Sequence, residues 1–74
     1  MNDSQRAIFN MLDKYGPACN RLISEVTGVP ECSVTPRIYE LRQMGQVDAS
    51  HKAKYPADSG RTVNWWKVAD ASHG

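Results

Sequence analysis

The chain has 74 residues and a formal net charge of +1, with 41% hydrophobic and 23% charged residues. That composition is ordinary for a folded globular protein and excludes the low-hydrophobicity, high-charge signature of disorder. A chain this short buries only about 60% of the surface its unfolded form exposes, which argues for a single small domain and against a deep catalytic cleft.

The first helix is expected over residues 3–15. Asn2 or Asp3 caps it, with Asn2 and Gln5 at the spacing of a reciprocal capping box. Ile8, Leu12 and Tyr15, with Met11 alongside, recur on one helical face and define a buried stripe. Gly16 and Pro17 then stop the helix.

A shorter second helix follows, with Cys19 or Asn20 near its cap and Leu22, Ile23 and Val26 inward, before the break "TGVP" at Thr27–Pro30. In the third helix Val34, Ile38 and Leu41 fall on one inward stripe, and Cys32, Pro36, Tyr39, Glu40 and Gln43 point away from it. Two starts fit: Thr35 as cap with Pro36 as the first helical residue, or a start near Glu31 with a distorted first turn. Gly45 closes the helix.

"QVDAS" and "RTVNWWKV" read as two strands around a long turn, "HKAKYPADSG". The last residues, "ADASHG", read as a frayed tail, so the ordered core is expected over about 3–68 and the tail over 69–74. The predicted core is Ile8, Leu12, Leu22, Val26, Val34, Ile38, Leu41 and Trp66.

Charge is uneven. Residues 1–50 hold five basic and six acidic side chains, whereas residues 51–67 hold four basic and one acidic. The second segment is either a polyanion contact or an ordinary solvated loop. Two cysteines without zinc-site spacing read as packing or capping residues, and no metal or other cofactor is expected. His51 in the turn, His73 in the tail and Cys19 at a helix start form no nucleophile, base and orienter, so an enzyme is not expected. With no membrane-length apolar run and no secretion signal, the expected location is cytoplasmic, with no membrane partner.

Two helices joined by a glycine-containing turn, the second presenting polar side chains, form a helix-turn-helix pattern. Leu22, Ile23, Val26, "TGVP", "SVTPRIYELRQMGQV" and "SGRTVNWWKV" together resemble the winged helix-turn-helix domains of small bacterial and phage DNA-binding regulators, over about residues 4–68. The resemblance implies an α+β fold of three helices followed by a β-hairpin wing. It implies double-stranded DNA as partner, with the third helix in the major groove and the wing on the backbone, and a role as transcriptional regulator or DNA-binding accessory factor. Carried over by position, the groove residues are Ser33, Thr35, Pro36, Arg37 and Glu40, and the wing residues Lys52, Lys54 and Arg61.

Arg37 has the planar fork that reads guanine O6 and N7 bidentately, against a plain ion pair with Glu40. The wing lysines suit phosphate contacts or, equally, an edge that deters strand pairing. By its place in the pattern Trp66 packs inward with Val68, which leaves Trp65 outward as a protein-interface candidate. Glu31, Glu40, the low net charge and Trp65 support a rival reading, a winged-helix module that binds another protein, such as a component of host transcription or defence machinery. A monomer is expected over a stable dimer.

Overall fold

Asn2 begins the ordered structure with the expected reciprocal cap: its side chain accepts from the Gln5 backbone N–H at 2.8 Å, and Gln5 Oε1 accepts from the Asn2 N–H at 2.9 Å. Two of the donors that a helix start leaves unpaired are thereby satisfied. The computed structural model describes residues 1–69, so most of the predicted tail lies outside the described residues. The elements are α1 (Asp3–Tyr15), β1 (Ala18–Cys19), α2 (Asn20–Thr27), α3 (Glu31–Gln43), β2 (Val47–Lys54), a short 3-10 turn (Pro56–Asp58) and β3 (Thr62–Val68).

The turn between α2 and α3 is held by side chains as well as backbone. Gly28 takes a left-handed conformation, Ser24 Oγ donates to the Val29 carbonyl at 2.6 Å, and Thr27 Oγ1 donates to the Ile23 carbonyl at 2.7 Å. The next helix settles the alternative left open by the sequence: α3 starts at Glu31, with the Pro30 carbonyl accepting from both Ser33 and Val34. Pro36 is therefore the sixth helical residue, beyond the first turn where a proline is freely tolerated, and it has no N–H to give the Cys32 carbonyl. Its ring stands on the exposed side of the helix.

Past the other end of α3, Gly45 adopts φ +75°. The Gly45 N–H bonds to the Arg42 carbonyl and the Gln46 N–H to that of Leu41, the paired pattern that closes a helix through a left-handed residue.

The sheet has the order β1-β3-β2 with both pairings antiparallel. Three features depart from expectation. A two-residue strand, β1, precedes α2 and pairs Ala18 with Trp66 and Cys19 with Trp65. β2 runs on through Lys54, so His51 lies in a strand and not in a turn. Between Ala49, opposite Trp66, and His51, opposite Trp65, Ser50 is an extra residue that forms a bulge.

Between helices and sheet lies one core of Ile8, Met11, Leu12, Ala18, Ile23, Val34, Ile38, Leu41, Val47 and Trp66. Six of the eight predicted core residues are in it. Leu22 packs against its edge, but Val26 is 49% exposed and is a correction: its stripe runs past the end of the core, and the inward direction there opens to solvent. Tyr15, at the end of the α1 stripe, is 64% exposed for the same reason, with Lys14 Nζ 5.2 Å from its ring centre. Met11, Ala18, Ile23 and Val47 complete the core, each fully or nearly fully buried. Cys19 is buried at the α2 cap, whereas Cys32 is exposed on α3 and neither packs nor caps.

Candidate nucleic-acid interface

Helical geometry divides the surface of α3 into strips. Val34, Ile38 and Leu41 are buried, while Cys32, Pro36, Tyr39 and Gln43 form an exposed strip at i, i+4, i+7 and i+11. Ser33, Arg37 and Glu40 form a half-buried strip on the side of α1, and Glu31, Thr35 and Arg42 are exposed on the side of the hairpin. The five predicted groove residues are thus split: Ser33, Arg37 and Glu40 on one flank, Pro36 outward and Thr35 on the other flank.

On the α1 flank, Gln5 Nε2 donates to Glu40 Oε1 at 2.7 Å, and Arg37 Nε stands 3.2 Å from the same oxygen. Arg37 Nε is shielded from solvent and makes no aligned hydrogen bond, so its pairing with Glu40 is one of charge. Glu40 is held towards α1 by Gln5 and along α3 by Arg37.

On the hairpin flank, Trp66 Nε1 donates to Asn20 Oδ1 at 2.6 Å, and Asn20 Nδ2 donates to Thr35 Oγ1 at 3.0 Å. The Arg42 guanidinium lies 5.0 Å from the Trp66 ring centre, within cation–π range. Arg21 bridges Glu25 at 3.4 Å and Glu31 at 3.9 Å. Residues of α2, α3 and β3, including Asn20, Arg21, Glu31, Asn64 and Trp66, line an open cleft of about 260 Å³ between the helices and the hairpin.

Lys52, Lys54 and Arg61 are exposed, and none is in an ion pair among the described residues. The register sets Lys52 opposite Asn64 and Lys54 opposite Thr62, which brings both lysines to the outer half of the hairpin.

Trp65 differs from its expected bare exposure. It is half-buried, its Nε1 donates to the Ala53 carbonyl at 3.2 Å, and it stacks on His51 with ring centres 5.5 Å apart. Tyr55 meets it edge-on at 6.0 Å and donates its hydroxyl to Glu25 Oε1 at 2.8 Å, tying the hairpin to α2. The Glu25 carboxylate, by accepting that hydrogen bond, holds the phenol proton and raises the Tyr55 pKa above its ordinary value.

Tyr39 and Arg42 are interface candidates that sequence reasoning left out. Tyr39 is 62% exposed at the centre of the outward strip; its spacing from Pro36 had already shown its direction. Arg42 gave no such signal, because its place over Trp66 depends on the sheet. Among the described residues no group of His, Cys, Asp and Glu could hold a metal ion, and no helix is long and apolar enough to cross a membrane.

Together α2, its glycine turn and α3 form a helix-turn-helix, and β2 with β3 forms the hairpin beside it: the fold is a winged helix-turn-helix. No protein-family profile matches the chain, and no curated protein matches it. Solved structures do share the fold. The Zalpha domain of Carassius auratus PKZ, in complex with Z-DNA, superposes with a TM-score of 0.68 at 20% identity, over 88% of this chain and 90% of that one. A ZitR variant from Lactococcus lactis gives 0.73 at 21% identity over 95% of this chain. The PcaV transcriptional regulator of Streptomyces coelicolor, with its natural ligand, gives 0.72 at 22% identity over 99% of this chain. This chain spans 44% of the length of that ZitR chain and 48% of that of PcaV. At these identities the likeness is one of fold.

Proposed function

We propose that this protein binds double-stranded DNA with sequence preference, placing α3 in the major groove and the β2–β3 wing along the backbone, and acts as a transcriptional regulator or DNA-binding accessory factor. The observation that carries the reading is that α3 keeps an outward strip of Cys32, Pro36, Tyr39 and Gln43 exposed beside a hairpin whose Lys52, Lys54 and Arg61 are exposed too, with Glu31 of α3 and Val63, Asn64 and Trp66 of β3 facing the cleft between helix and hairpin. A helix presenting side chains to base edges and a basic hairpin touching phosphates are the two parts such recognition needs.

The acidic residues of α3 do not oppose this arrangement. Glu40 faces Arg37 and the Gln5 amide, and Glu31 has Arg21 at 3.9 Å, so each carboxylate has an arginine beside it. Arg37, anchored by charge at Nε, directs its other guanidinium nitrogens to a guanine, and Thr35, Pro36, Tyr39 and Arg42 line the rest of the groove surface. The fold is shared with a ZitR variant solved in complex with DNA and with a domain solved on Z-DNA, which supports a nucleic-acid partner. Trp65, the chief support for a protein-binding module, is engaged within the wing by His51, Tyr55 and the Ala53 carbonyl.

The test is a fluorescence-anisotropy titration of labelled duplex at low and moderate salt. Each phosphate contact should contribute about −0.9 to the slope of log affinity against log salt. Binding that ignores salt, or no binding at low salt, contradicts the proposal.

A further inference from the structure

The bridge from Trp66 through Asn20 to Thr35 has a direction. An indole N–H only donates, so the Asn20 atom 2.6 Å from Trp66 Nε1 is the carbonyl oxygen, and the amide orientation follows from chemistry. The Asn20 NH₂ then faces Thr35 and donates to its Oγ1 at 3.0 Å. A hydroxyl that accepts on one side keeps its own proton for another acceptor. Among the described residues Thr35 Oγ1 has no second protein partner, and Thr35 is exposed on the cleft side of α3.

From this we infer that Thr35 is a directed hydrogen-bond donor to an acceptor oxygen or nitrogen of the bound nucleic acid, and that Asn20 is the positioning residue that fixes its polarity. The inference rests on the reading of α3 as the DNA-binding face. Trp66 is buried in the core, so the polarity of a surface hydroxyl is set from inside the fold, at little cost in ordering on binding. The acceptor is a phosphate oxygen or a base-edge acceptor such as guanine O6 or N7 or thymine O4.

A near-isosteric change inverts the relay. In Asn20→Asp the carboxylate still accepts from Trp66, but towards Thr35 it offers an acceptor, so the Thr35 proton turns inward and the outward donor is lost. An acid in the first turn of α2 is favourable to the helix, which protects the fold. Thr35→Val removes the hydroxyl at nearly constant shape. The experiment is a double-mutant cycle on duplex affinity, with the Trp66 indole N–H resonance as the check that its bond to residue 20 persists.

Thr35→Val should weaken binding about 5- to 10-fold. The added charge of Asn20→Asp repels DNA in either background, and the cycle cancels it. The expected signature is therefore coupling: the cost of Asn20→Asp falls about fivefold when Thr35→Val is already present. A Thr35→Val loss confined to one base pair identifies a base-edge acceptor, and an equal loss on all duplexes identifies a phosphate. An equal cost of Asn20→Asp in both backgrounds overturns this inference while leaving DNA binding intact. A wild-type protein that binds no duplex at low salt overturns both.

Discussion

Glu40 Oε1 is shared by two residues: Arg37 Nε approaches it to 3.2 Å along α3, and Gln5 Nε2 donates to it at 2.7 Å from α1. The ion pair tethers the arginine, and as a half-buried i, i+3 pair on one helix it contributes only about 0.2–0.5 kcal/mol. Arg37→Ala should therefore leave the fold intact, as read by circular dichroism. On the preferred duplex it should cost about 1–3 kcal/mol of binding and much less on a random one. Equal losses on both would assign Arg37 to a phosphate.

Leu41 is fully buried where α3 meets the rest of the core. Truncation removes its transfer free energy and leaves a cavity, so Leu41→Ala should destabilise the domain by about 2–5 kcal/mol in urea unfolding. A loss below about half a kcal/mol would mean that the packing around α3 is described wrongly.

Replacing Lys52, Lys54 or Arg61 with Ala should weaken binding about equally on all duplexes and flatten the salt slope by about one unit per phosphate contact removed. An unchanged slope removes that residue from the interface.

Tyr55 donates to the Glu25 carboxylate, and its pKa in the fold lies above the ordinary phenol value. The unfolded phenol ionises first as pH rises, so this bond stabilises the fold fully below the unfolded pKa and is lost as pH climbs through the folded one. The Tyr55 phenol, followed by its ring NMR signals, should titrate later in the wild type than in Glu25→Ala. The same Tyr55 titration in both proteins would remove the Tyr55–Glu25 tie.

What could be read from the sequence was whatever local residues decide. Asn2, Gln5, Gly16 and Gly45 punctuate the helices within a few residues of the bonds they make, and α1 has the bounds they set. The strand β1 could not be read, because two residues carry no alternation and it exists by pairing with Trp65 and Trp66. The surroundings of Trp65 depend on the Ser50 bulge, which sets His51 opposite it. In the candidate site, the outward strip of α3 was visible as a spacing. The turn of Glu40 towards Gln5 and the reach of Asn20 to both Thr35 and Trp66 join residues 35, 15 and 46 positions apart, where a local pattern is silent.

The central claim is that α3 and the wing form one DNA-binding face, and the most direct measurement is a map of backbone amide NMR shifts as duplex is added at low salt. The account predicts shifts concentrated at Thr35, Tyr39 and Arg42 on α3 and over Lys52–Arg61 on the wing, with Asn10, Asp13 and Lys14 on the exposed side of α1 unmoved. Shifts centred on that side of α1, or none at all with duplex in excess, would contradict it.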